Sequence, residues 1–355
     1  MSKISVVREI PLLSPQPLTE VELEKLSPAS FNSVETGKPK TMAFRTKVGY
    51  SIRNFLLQPQ YFWIFALARF RVARQIYAFC SKFKSPIAET SERTESLFEL
   101  DPVATVEILK QDGVCTGLNL PSPFLNDLQQ YLHRQYCYAG GKTHLGFKID
   151  DKQQLDQLFP KPFYVARYFN LSRNCPQIER LVNDPKLQQI AKGYIGSQAQ
   201  YTGASLFWTF PIEGKSTDDD QQMFSHFHYD IDDFAGLRFC FYLTDVALDN
   251  GPHVCIQGSH IQKKIRHILN FFSRIQTTPE LKQTYDEEKF LTISGAAGSG
   301  FMEDTFCFHK GNPPQNKPRL FLQLHFATHN YDRHHYLDDR HPATLQSWRE
   351  SLTLN

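Results

Sequence analysis

The feature that most constrains this chain is a change of periodicity partway along it. Up to about residue 200 the apolar residues mostly recur at helical spacing. Beyond Tyr201 they fall into short runs that alternate or are wholly apolar. Alternation places residues i and i+2 on one face of a strand, whereas a 3.6 period marks one stripe of a helix. The clearest run is residues 237–244. There Leu237, Phe239, Phe241 and Leu243 share one face, and Arg238, Cys240, Tyr242 and Thr244 share the other. Further strand pieces are expected at 201–212, 253–257, 291–293, 300–302, 306–308 and 319–327. Helices first and many short strands afterwards imply a sheet-rich core with helices packed outside it. The fold expected is mainly β, a double-stranded β-helix or jelly-roll barrel.

The first half supplies the helices. Residues 60–82 read as one helix, 121–135 as an amphipathic one, and 177–194 as one or two with a break at Asn183-Asp184-Pro185. Val106 and Leu109 carry helical spacing up to a turn at Asp112-Gly113, and a strand is expected over 114–118. A small helix closes the chain near 345–352, and 261–286 reads as a polar insertion between strands. The organisation expected is an extension over 1–95, a barrel domain over 96–340 and a C-terminal tail over 341–355. The first 45 residues or so are rich in Pro, Ser, Thr and Glu without a period, which suits a loose arm.

Residues 41–84 contain no Asp or Glu, while Arg45, Lys47, Arg53, Arg69, Arg71, Arg74, Lys82 and Lys84 are basic. Arginines interrupt the apolar run too often for a membrane span. Two readings remain: a basic amphipathic face that meets a membrane surface or partner through 45–84, or a helix packed on the barrel. The net charge of +2 over 355 residues gives nucleic acid no footing as a partner. The seven cysteines are scattered, with no C-x-x-C pair, which disfavours a disulfide framework or a zinc knuckle. A reducing compartment suits them, and the N-terminus has no continuous apolar run of the kind a secretory signal needs, so a cytoplasmic location is expected, with or without peripheral membrane contact. Oligomeric state is not legible.

The chemistry concentrates between residues 225 and 260, which read S-H-F-H-Y-D-I-D-D-F, then G-L-R-F-C-F-Y-L-T-D-V, then D-N-G-P-H-V-C-I-Q-G-S-H. His228 and Asp230 form a His-x-Asp pair that a strand would present on one face. Downstream, F-C-F-H-K-G places His309 after another apolar run. Two imidazoles and one carboxylate on one side of a metal ion form the facial triad of non-haem Fe(II) oxygenases. Arg319 opens the run R-L-F-L-Q-L-H-F-A, in which Arg319, Phe321, Gln323 and His325 share a face. A guanidinium can grip a carboxylate through two parallel bonds.

The ordered set H-Y-D, N-G-P…G-S-H and H-K-G followed by P-R resembles the phytanoyl-CoA dioxygenase family of Fe(II)/2-oxoglutarate oxygenases, over roughly residues 100 to 330. The resemblance departs from the family at Pro252-His253, where small apolar residues are expected, and at the second histidine, His226. It implies His228, Asp230 and His309 as ligands of Fe(II), 2-oxoglutarate and O₂ as cosubstrates, and Arg319 as the cation for the distal carboxylate. It also implies oxidative decarboxylation to succinate and CO₂ coupled to hydroxylation of a small or lipid-like molecule. An aspartate at position 230 favours hydroxylation over halogenation. Two other readings stay open: a cupin-type metal protein using His226, His228 and Asp232, and a catalytically silent binding barrel. His260 is expected in a structural role. The acidic stretch 213–222 is a candidate lid, set against a plain solvated loop, and the His-rich tail 334–341 is more readily a polar tail than a metal site.

Overall fold

The structure is a computed structural model that describes residues 59–81, 95–158, 163–212, 225–269, 276–329 and 344–349. The N-terminal arm, the acidic stretch 213–222, the His-rich tail 334–341 and part of the expected C-terminal helix lie outside these residues.

Helices α1 (Pro59–Leu67) and α2 (Arg71–Ser81) come first, followed by α3 (Pro102–Asp112), β1 (Val114–Asn119), α4 (Ser122–His133), β2 (Cys137–Ala139) and β3 (Gly146–Phe147). Next come α5 (Lys152–Leu158), β4 (Val165–Tyr168), α6 (Leu171–Asn174), α7 (Pro176–Val182) and α8 (Pro185–Ile195). The strand-rich part holds β5 (Gln200–Thr209), β6 (Gly236–Tyr242), β7 (His253–Ile256), α9 (Ile265–Leu269) and α10 (Thr278–Lys282). It ends with β8 (Phe290–Ile293), β9 (Ser299–Asp304), β10 (His309–Gly311) and β11 (Arg319–Ala327).

Local chemistry sets several of these boundaries. Asp101 caps α3 by accepting from the amides of Val103 and Ala104, with Pro102 at the first helical position. Asp184 caps α8 in the same way and also accepts from Ser96 Oγ and the Leu97 amide, so one buried carboxylate starts a helix and anchors the incoming chain. Gly113 ends α3 in the left-handed conformation, at φ 72°.

The strands form a large antiparallel sheet in the order β1-β9-β6-β11-β5-β4-β2-β3 and a small one in the order β10-β7-β8. His228 bridges to His309 and so adds its segment beside β10 in the small sheet. From β5 onward the chain passes between the two: β5 in the large sheet, the His228 segment in the small, β6 large, β7 and β8 small, β9 large, β10 small, β11 large. This is the double-stranded β-helix. The alternation in β6 separates two buried environments. Leu237, Phe239 and Phe241 join the core beneath α3, α4, α7 and α8, while Cys240 and Tyr242 face the barrel interior with Phe207, Phe301 and Phe321. On the far side, Ile64 of α1 and Ala68 just past its end pack with Leu281 of α10 against Phe227, Tyr229, Val254, Ile256 and Phe308, the outer face of the small sheet.

Three expectations change. The helix expected over 60–82 is two helices, because Arg69 turns back at the corner. Its guanidinium donates to the Phe65 carbonyl and, at 3.1 Å, to the Ile268 carbonyl. Residues 306–308 are a turn rather than a strand. Asp304 accepts from the amides of Phe306 and Cys307, which bends the chain from the large sheet into the small one. The His-x-Asp segment is bridged at His228 but does not continue as a regular strand through Asp230.

Gly113 offers a test of how tightly α3 seats on the barrel. A Cβ there would lie 2.4 Å from both Cys307 Sγ and His260 Nδ1. Gly113→Ala should cost roughly 2–5 kcal/mol, combining left-handed backbone strain with overpacking. Urea unfolding should show a lower midpoint at unchanged slope.

Candidate metal centre

His228, Asp230 and His309 converge inside the barrel, each offering one ligand atom, and these atoms lie within 4.8 Å of one another. Among the described residues this is the cluster of His, Cys, Asp or Glu with metal-holding geometry. Backbone pairing brings the two imidazoles together. His228 N–H donates to the His309 carbonyl at 2.9 Å and His309 N–H to the His228 carbonyl at 2.8 Å. The ring centroids then stand 4.5 Å apart.

Each ring is oriented by the carbonyl two residues before it. The His228 Nδ1–H donates to the His226 carbonyl at 2.9 Å, and the His309 Nδ1–H to the Cys307 carbonyl at 3.0 Å. This leaves Nε2 of both rings as the acceptor that a metal would use. His226 itself is exposed, and it serves through its backbone oxygen.

Asp230 is buried, and Arg238 on β6 holds it. Arg238 donates to Asp230 Oδ2 at 2.6 Å and to Asp232 Oδ2 at 3.0 Å, and its Nε donates to His325 Nδ1 at 3.3 Å. Burial works against the Asp230 charge. The Arg238 guanidinium, with His309 and His228, outweighs it and holds the carboxyl well below the usual carboxylate range. Burial likewise opposes protonation of His309, yet Glu303 and Asp230 raise its pKa above the ordinary value. Glu303 lies 3.8 Å from His309 Nδ1 and 3.0 Å from His253 Nε2. His253 stacks over His309 at 5.5 Å.

Arg319 is buried at the start of β11 and faces the interior. It donates to the Gly251 carbonyl, but its Nε has no hydrogen-bond partner. Its register partner on β5 is Thr209, whose buried Oγ1 also has none. A Cβ at Gly311 would lie 3.4 Å from the Arg319 guanidinium, so the glycine leaves room beside it. Gly311 is two residues beyond His309 on β10, about 7 Å at strand rise. A buried cation and a hydroxyl, both short of partners, stand one same-face step from the His–Asp–His cluster. That donor set fits a short dianion held at both ends, and the three converging ligands fit a divalent metal.

Sequence reasoning named His228, Asp230, His309 and Arg319. It passed over Arg238, Thr209, His253 and Glu303. Arg238 carried a usable signal, since it is the charged residue on the inward face of an otherwise uncharged strand.

A barrel of this topology with two imidazoles and one carboxylate converging in its interior has the build of a mononuclear metal protein. No family model and no curated protein matches the chain. Among solved structures it is similar to EvdMO1, at 15% identity and a TM-score of 0.41, over 64% of this chain and 50% of that one. It is also similar to the non-heme α-ketoglutarate-dependent epimerase SnoN from nogalamycin biosynthesis, at 13% identity and a TM-score of 0.43, over 64% of this chain and 84% of that one. A third likeness is to EctD from S. alaskensis, at 15% identity and a TM-score of 0.43, over 74% of this chain and 90% of that one. The chain thus spans half the length of EvdMO1.

The Asp230–Arg238 pair generates one prediction. Arg238→Leu should destabilise the metal-free protein by about 3–5 kcal/mol, because it strands a buried carboxylate. Adding Asp230→Asn should recover part of that loss in a urea-unfolding cycle. A second prediction concerns pH. Both imidazoles must be neutral to ligate, and His309 holds its proton above the ordinary histidine pKa. Metal affinity should therefore fall about tenfold per unit as pH drops below that raised value, as measured by competition with a chelator of known pH response.

Proposed function

We propose that this protein is an Fe(II)/2-oxoglutarate-dependent oxygenase that hydroxylates a C–H bond of a small or lipid-like molecule, with release of succinate and CO₂. The observation that carries the reading is the pairing of a His–Asp–His cluster with a buried arginine short of partners one step away. When bound, the iron and its cosubstrate supply the oxidising power, which no side chain here can. His228, Asp230 and His309 would hold the metal from one side and leave the opposite side for cosubstrate and O₂. Arg319, assisted by the Thr209 hydroxyl, would hold the distal carboxylate of 2-oxoglutarate. Phe207, Tyr242, Phe301 and Phe321 line the interior with apolar surface and keep water from that charge pair. Arg238 keeps Asp230 ionised and aimed.

Membership of the phytanoyl-CoA dioxygenase family is part of this proposal and rests on the motifs. The barrel domain over 96–340 and the set His228, Asp230, His309 and Arg319 are proposed with it. The cupin reading is less well supported, since His226 is exposed and the converging cluster includes neither it nor Asp232.

The test is anaerobic titration with Fe(II) and 2-oxoglutarate, followed by succinate release under air with a panel of candidate substrates. A visible charge-transfer band is expected from the wild type and not from His309→Ala. Arg319→Ala should keep Fe(II) and weaken 2-oxoglutarate binding by about 2–4 kcal/mol, roughly 30- to 1,000-fold. Equal 2-oxoglutarate affinity in wild type and Arg319→Ala would refute the role given to Arg319. Iron binding untouched by His309→Ala would refute the triad.

A further inference from the structure

Helix α2 is turned inside out. Its amphipathic character is strong, but the apolar side does not meet the barrel. Arg74, Tyr77 and Ser81 are the residues that dock. The Arg74 guanidinium lies 4.0 Å over the Phe306 ring and donates to the His260 carbonyl at 2.7 Å. Tyr77 stacks on Phe234 at 4.5 Å and hydrogen-bonds His329 at 3.2 Å. Ser81 is buried. At about 100° per residue, Val72, Ile76 and Phe79 lie on the opposite side of the helix, where they are 65%, 59% and 61% exposed.

The exposed stripe does not end with α2. On α1, Trp63 and Leu67 are exposed one turn apart, while Ile64 and, just past the helix, Ala68 are buried. The bond from Arg69 to the Ile268 carbonyl brings α9 against this corner, and α9 exposes Ile265 and Leu269 one turn apart. Large apolar side chains are thus exposed on three helices that meet at the Arg69 corner, and Arg71, Lys264 and Arg266 of the same helices and their approaches are exposed as well. A folded chain turns such residues inward unless something outside the fold receives them.

We propose that this face is a docking surface for an anionic membrane, with the apolar side chains entering the lipid interface and the basic ones meeting its headgroups. Charge complementarity selects this occupant. Residues 41–84 contain no acidic residue, and Arg71 of that stretch is exposed on the flank of the apolar stripe of α2. A protruding helix with an apolar side and flanking cations suits the headgroup boundary, where tryptophan is also at home. A second copy of the chain is a poorer occupant. Paired face to face, two copies would bring their Arg71, Lys264 and Arg266 cations to one interface, where like charges repel. Among the described residues no helix is long and apolar enough to cross a membrane. The contact is therefore a surface one. It rests on the exposed face alone, and the reading of the metal centre can fail without affecting it.

The experiment is co-sedimentation of the full chain with vesicles of phosphatidylcholine alone and of phosphatidylcholine mixed with phosphatidylserine. The expected result is binding to the mixed vesicles, weakened by raised salt, and little binding to the neutral ones. Val72→Glu combined with Ile76→Glu should lower that binding about a hundredfold or more, the worth of two buried apolar side chains. Both positions are exposed, so the variant should keep its unfolding midpoint. Absence of binding to the mixed vesicles would overturn the proposal, as would equal binding by the double variant. So would a concentration-dependent dimer in sedimentation velocity that the double variant abolishes, because the face would then belong to a second copy.

Discussion

The interaction on which the candidate site depends is the one between Asp230 and Arg238, 2.6 Å apart inside the barrel. A carboxylate removed from water reverts to its neutral acid unless a fixed cation stands beside it. Here the cation comes from the large sheet and the carboxylate from the segment that joins the small one. The pair therefore acts as a cross-tie between the two walls. His309 and Glu303 continue the series of charges, and their order leaves Asp230 anionic and the histidine Nε2 atoms facing it. The fold brings this about with strands that alternate between sheets. Residues far apart in sequence face one another across a narrow interior, and each wall supplies part of every charge balance.

Much of this was legible in the residues themselves. β11 was expected over 319–327 and spans Arg319–Ala327. The two faces expected of 237–244 are the two faces of β6. The break expected at Asn183-Asp184-Pro185 falls between α7 and α8. These elements were readable because propensity, periodicity and capping agree there. Legibility failed where a tertiary contact decides local structure. The turn after Asp304 looks like a strand in F-C-F, because nothing in three apolar residues reveals that the chain must change sheets. The corner at Arg69 is hidden for the same reason: a guanidinium satisfying carbonyls from two helices leaves no periodic trace. Of the site, His228, Asp230, His309 and Arg319 could be named, since His-x-Asp and a strand-initial arginine are local patterns. Arg238, Thr209, His253 and Glu303 are defined by register across strands, which a single sequence does not display.

The N-terminal helices show how polarity can mislead about which side of a helix faces in. Apolar periodicity alone would dock α2 through Val72, Ile76 and Phe79. The barrel instead offers it an aromatic ring, a carbonyl and an imidazole, and these recruit Arg74 and Tyr77. Polar residues at an internal contact are ordinary when each finds a partner. The apolar residues are then left for the outside, so the orientation of α2 is set by what lies beneath it.

The three converging side chains do not share one degree of shelter. Asp230 and His309 are closed in, whereas His228 is half-buried and sits on a segment held to β10 by a single bridge. An ion gripped by such a set has one vulnerable bond and two protected ones. An ion held there would leave most readily through the half-buried His228 side, while Asp230, fixed by Arg238, and His309, seated in β10, would retain it.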